Sequence, residues 1–188
     1  MTTADRRLRE RLAQRQLITS AARRVAESEG WDAVTTRRLS AEIEYSQPVI
    51  YKHFASLDDL YEAVALQSFT ELSDALREAR GVAGLDDVRA VAQAYLDFAD
   101  EHPALYEAMF TRSTRLPFGD SETPAALTAA FAELRAGIAS VAQGRDVDTL
   151  TEVFWAALHG LVSLQRGGRL RHGAEDGRLG LLVESLSL

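Results

Sequence analysis

Nine side chains between positions 36 and 53 have the types and spacing of groups that hold a phosphate backbone and read base edges. Thr36 and Arg37 open one short apolar-periodic segment, and Ser46, Gln47, Pro48, Val49, Tyr51, Lys52 and His53 make up the next. At the start of a helix the Thr36 hydroxyl and amide N–H suit a phosphate oxygen. Gln47 can pair with an adenine edge and Arg37 with guanine O6 and N7, while Pro48 and Val49 can contact a thymine methyl. Tyr51, Lys52 and His53 end the second segment, where a phenol, an ammonium and an imidazole can reach phosphate oxygens and fix register without reading sequence. Ser46 caps the second segment and joins the contact set; Phe54 is assigned to the core beneath it.

The elements that must position these groups are helices. Apolar residues recur at helical spacing nearly everywhere and no stretch alternates for more than a few residues, so the chain is expected to be all-α with about nine helices. The first runs from about Arg6 to Glu29, with Leu8, Leu12, Leu17, Ile18, Ala21, Ala22 and Val25 mainly on one face, and stops at Gly30. Thr35 and Thr36 cap a second helix to about Ile43. After a three-residue turn, Ser46 caps a third helix to His53, with Pro48 in its first turn, where the missing N–H costs nothing. Ser56 and Asp59 form a capping box for a long fourth helix to Ala79. Further helices are expected at about 86–101, 103–110, 124–141, 146–166 and 178–186, with a loop at 117–120.

Charge divides the chain at Phe54. Over 188 residues the formal charge is −7, which taken alone argues against a nucleic-acid partner. Residues 1–54, however, hold ten basic and seven acidic residues, net +3, while 55–188 hold eleven and twenty-one, net −10. That asymmetry is expected if only the first end meets phosphates. The expected domains are therefore 1–54, a helix-turn-helix that binds DNA, and 55–188, an acidic body whose ligand binding and dimerisation are what the resemblance below implies.

The stretches Thr35-Thr36-Arg37-Arg38-Leu39 and Ser46-Gln47-Pro48-Val49-Ile50-Tyr51-Lys52-His53-Phe54 resemble the DNA-binding signature of the TetR family of bacterial transcriptional repressors. The resemblance is specific over about Leu17 to Val64, and a Trp155-x-x-x-His159-Gly160 element is similar to one in some members' C-terminal domains. Two departures stand out: Glu44 occupies a turn position that is usually glycine, and Ser40 and Ile43 stand where alanines are usual. The resemblance implies a homodimer on a palindromic double-stranded DNA operator, joined through the last two helices and released by a small-molecule effector. Val153, Phe154, Ala157, Leu158, Leu161 and Leu164, then Leu179, Leu182, Val183 and Leu186, are the candidate dimer residues. Tyr95, Phe98, Tyr106, Met109, Phe110, Phe131, Trp155 and His159 are large side chains with few polar tips, the lining for a largely apolar effector.

Other functions find less support. Cysteine is absent, which excludes disulfides, thiolate nucleophiles and cysteine metal sites. The four histidines are scattered, and no phosphate-binding loop, His-Glu-x-x-His pair or nucleophile elbow occurs, so no catalytic residue, metal or cofactor is expected. No apolar run approaches the roughly 20 residues that span a bilayer, and the first residues lack a secretory h-region, so no membrane partner and a cytoplasmic location are expected. The alternatives are a helical interaction protein that has lost DNA binding and an all-helical enzyme.

Overall fold

The computed structural model describes residues 2–81, 83–112, 116–119 and 121–187, and among them every regular element is helical. Asp120 of the expected loop lies outside these residues. The chain forms two compact units, one of residues 1–68 with 102–117 and one of 69–101 with 118–188. No helix among the described residues is long and apolar enough to cross a membrane.

In the first unit α1 (Thr3–Glu29) begins three residues before its expected start. Thr2 Oγ1 accepts from the Asp5 amide at 3.2 Å, and the Asp5 carboxylate accepts from the Thr2 amide at 2.8 Å. This reciprocal box satisfies two otherwise orphaned donors, and hydrogen bonding of the carboxylate to the Thr2 backbone and then to its side chain holds the Asp5 carboxyl below its ordinary pKa. The helix ends at Gly30, whose φ of 84° a side chain would strain. The apolar face is buried only from Ile18 onward; Leu8 and Leu12 are more than half exposed and Leu17 is exposed as well.

Helix α2 (Thr36–Ile43) is capped by Thr35, whose hydroxyl accepts from the Arg38 amide at 3.1 Å. Helix α3 (Gln47–His53) has Ser46 at its N-cap position without a side-chain cap bond, and Pro48 in its first turn as expected. Both helices pack on α1, where Leu39, Ile43, Ile50 and Phe54 close the core. The turn between them is made at Glu44, in the left-handed region at φ 56°, ψ 31°. A side chain there costs about 1 kcal/mol relative to glycine. Glu44→Gly is accordingly expected to stabilise the protein by about 1 kcal/mol in chemical denaturation, and Glu44→Ala, which keeps the Cβ, to give none of that gain.

The long helix α4 (Leu57–Ala79) starts from the expected box: Asp59 N donates to Ser56 Oγ and Ser56 N to the Asp59 carboxylate, both at 3.1 Å. The first unit reaches beyond the expected boundary at Phe54, because α6 (Pro103–Glu107) packs with α1 and the π turn Ala108–Arg112 packs with α6. The Trp31 indole, in a 3₁₀ turn at Trp31–Ala33, donates to the Ala104 carbonyl at 2.7 Å. The Glu27 carboxylate accepts from the Ala104 and Leu105 amides at 3.4 and 3.3 Å, supplying the first turn of α6 with acceptors. Arg112 completes the attachment with bonds to Glu107 and Asp32.

The second unit holds the rest of α4 with α5 (Leu85–Glu101), α7 (Ala125–Ala139), α8 (Val147–Arg166) and α9 (Glu175–Glu184), followed by a 3₁₀ turn at Ser185–Ser187. Asp146 caps α8 by accepting from the Thr149 amide at 2.8 Å. Val88, Val91, Tyr95, Leu134, Ile138, Phe154, Leu158, Leu179 and Val183 form its core.

Candidate nucleic-acid interface

The capping of α2 and the tight turn at Glu44 bring the head of α2 beside the head of α3. There the Thr36 hydroxyl donates to Gln47 Oε1 at 3.3 Å. Thr36 and Gln47 are thus one unit: the threonine holds the carboxamide oxygen, and the N–H₂ group is a donor of the kind that can meet an acceptor on a base edge. Gln47 and Pro48 are exposed and Val49 is half-buried. Ser46 is exposed, and because its hydroxyl makes no cap bond it remains available to a phosphate. Arg37 is exposed at the head of α2 and makes no ion pair among the described residues.

At the other end of α3, Tyr51 is 52% exposed and Lys52 is exposed too. His53 departs from the expectation. Its ring is buried, with Nε2 at 3.0 Å from Gln14 Oε1, and its carbonyl accepts from Arg15 of α1. Ile50, His53 and Phe54 lie three and four residues apart, so the imidazole falls on the buried face of α3 and not beside Tyr51 and Lys52. Burial lowers the pKa of the ring, and the positive charges of Lys52, Arg11 and Arg15 lower it further. His53 is a packing residue in this structure, and Tyr51 and Lys52 are the exposed polar side chains at this end of α3.

Arg38 is committed elsewhere. Its guanidinium bonds Glu29 at 2.7 Å and Glu42 at 2.8 Å, and these two carboxylates raise its pKa further above its ordinary value. Arg24 also meets Glu42, at 3.5 Å. These ion pairs tie α1 to α2 and remove two cations from the pool that could meet DNA.

Comparison with known proteins agrees with this arrangement. Residues 18–64 match the family model of bacterial regulatory proteins, tetR family, and residues 88–183 match that of the tetracyclin repressor-like, C-terminal domain, which by itself spans half of the chain. The chain belongs to the TetR family of bacterial transcriptional regulators. It is 34% identical over 158 residues to an uncharacterized HTH-type transcriptional regulator of Mycobacterium tuberculosis, covering 82% of this chain and 71% of that one. A protein of unknown function from Rhodococcus sp. RHA1 has the same fold, with a TM-score of 0.74 and 24% identity over 93% of each chain. So has BioQ, crystallised with its double-stranded DNA operator, with a TM-score of 0.64 and 22% identity over 92% of this chain and 97% of that one.

The effector residues expected of a TetR-family chain are not gathered into one unit. Tyr106, Met109 and Phe110 belong to the first, where Tyr106 and Met109 are buried and the Tyr106 and Phe110 rings lie 4.7 Å apart. Tyr95, Phe98, Phe131, Trp155 and His159 belong to the second. There Trp155 Nε1 donates to the Tyr95 hydroxyl at 3.2 Å, and Phe118, absent from the expected set, stacks on Trp155 at 6.3 Å and meets Phe69 edge-on at 6.0 Å. Tyr95 and Phe98 are core residues, whereas Phe131, Trp155 and His159 are half-buried. Burial, then the charge of Arg166, lowers the pKa of His159. An open cleft of about 200 Å³ among α5, α8 and α9 has Leu96, Asp97, Leu161, Arg166 and Arg178 in its wall and none of the eight expected residues. Among the described residues no group of three or more His, Asp or Glu could hold a metal ion.

Proposed function

We propose that this TetR-family regulator is a cytoplasmic, non-enzymatic repressor that binds a palindromic operator as a homodimer and is released by a small, largely apolar effector. The observation that carries the reading is the Thr36–Gln47 pair at the head of α3, with Tyr51 and Lys52 exposed at its other end. On this reading the groups at the start of the helix meet base edges and those at its finish hold phosphates. Homodimerisation is supported by Val153, Leu164 and Leu181, large apolar side chains of α8 and α9 left exposed in the single chain. The half-buried Phe131, Trp155 and His159 favour an effector site in the second unit, and the effector acts only if it binds the released form more tightly than the bound one.

Selecting bound duplexes from random DNA tests the operator; failure to enrich a palindrome would refute it. On the selected duplex, Lys52→Ala is expected to weaken all sequences alike and to flatten the salt dependence by about one contact per protomer. Gln47→Ala is expected to change the preferred base, with a loss of about 1–3 kcal/mol at that position. Identical effects from the two variants would contradict the division between backbone and base contacts.

A further inference from the structure

The positive charge of the DNA-binding end does not lie on its helix-turn-helix. Residues 16–54 hold five basic and five acidic residues, and the whole excess of +3 belongs to residues 1–15, where Arg6, Arg7, Arg9, Arg11 and Arg15 face Asp5 and Glu10. Within 16–54, Arg24 and Arg38 are already paired with carboxylates. Phosphate affinity scales with the number of cations that displace counterions, so an electroneutral reader is poorly supplied.

The missing cations stand on the first three turns of α1, where every residue from Thr2 to Ala13 is exposed. The Thr2–Asp5 box fixes these turns as helix, so Arg7, Arg11 and Arg15, four residues apart, form one stripe about 12 Å long. The base of the stripe is anchored at the end of α3. Arg15 lies over the Phe54 ring at 4.1 Å from its centroid and donates to the His53 carbonyl. Lys52 and Tyr51 are the exposed groups at this same end of α3, the reading helix.

We propose that Arg7 and Arg11 hold DNA phosphates flanking the half-site, extending the footprint beyond the helix-turn-helix. The inference rests on the operator reading above. A second copy of this chain is a poorer occupant: Leu8 and Leu12 offer one turn of apolar surface, and a copy would bring like arginines against these.

The test uses the full chain on its selected operator, with binding measured between 50 and 200 mM salt. For Arg7→Gln/Arg11→Gln the slope of log affinity against log salt is expected to fall by about 1.8 per bound protomer. Base preference and thermal melting should stay unchanged, and hydroxyl-radical protection outside the half-sites should disappear. Arg7→Lys/Arg11→Lys is expected to keep the slope. Equal slopes and footprints for wild type and the glutamine variant would overturn the inference while leaving the operator reading intact; a wild type that enriches no duplex would overturn both. Loss of self-association in Leu8→Ser/Leu12→Ser, with DNA slopes unchanged in the glutamine variant, would assign the segment to a second copy instead.

Discussion

Val153→Glu combined with Leu164→Glu is expected to yield a folded monomer whose operator affinity is at least about 100-fold below that of wild type. Both positions belong to one stripe of α8, eleven residues or about three turns apart, with Ala157 and Leu161 half-buried between them. Phe154, Leu158 and Val162 point about 100° away and close the second unit's own core. The two ends of the stripe are therefore left uncovered by the chain itself: Val153 is 62% and Leu164 40% exposed. Glutamate at such positions is a good helix former and changes the stability of a single chain little. In a two-fold interface each substitution occurs twice, so four carboxylates would enter one apolar seam without partners. Sedimentation should show a monomer at concentrations where wild type is a dimer. The affinity loss follows because two joined half-site readers gain an effective concentration in the millimolar range that separate ones lack. A double variant that remains dimeric would remove this stripe from the interface, and one that melts well below wild type would show that the stripe is core.

The expected frame of helices and the observed one differ little, and the reason is that most of its boundaries are set by local chemistry. Gly30 stops α1, Thr35 starts α2, Ser56 and Asp59 start α4, and Asp146 starts α8, each through bonds within four residues. The pairing of Thr36 with Gln47 is one step from legible, since both residues stand at the heads of adjacent helices. What escaped needed long-range information. That residues 102–117 join the N-terminal unit depends on Trp31 and Glu27 meeting Ala104, more than seventy positions away. Side-chain type alone does not distinguish Tyr95, in the core, from Trp155, at its edge. His53 is legible in the sequence by geometry, because its three-residue spacing from buried Ile50 puts it on the inner face whatever the chemistry of its imidazole. Leu181 sits in an almost continuous apolar run, Leu179 to Val183, where periodicity cannot say which side chain faces out.

Trp31→Ala is expected to destabilise the protein by about 4 kcal/mol, the range for truncating a buried tryptophan. The side chain is 2% exposed and meets Tyr61 edge-on at 4.9 Å, 75° between planes. Its removal leaves a cavity between α1 and α6 and strips the Ala104 carbonyl of its donor, adding the penalty of an unpaired buried acceptor. Trp31→Phe separates the two contributions: it retains most of the apolar volume but not the N–H, and should cost about 1–2 kcal/mol. For a chain of this length the alanine variant should melt on the order of 10 °C lower. The damage should also be local. With Trp31 gone, α6 is attached mainly through Glu27 and Arg112, so the Leu105 and Tyr106 amides should exchange with solvent faster than those of α8. DNA binding should weaken with temperature in step with the unfolded fraction, since Trp31 links α1 to α2 and so holds the frame that presents Gln47. An alanine variant within about 1 kcal/mol of wild type would mean that residues 102–117 are held to the N-terminal unit by Glu27 and Arg112 alone.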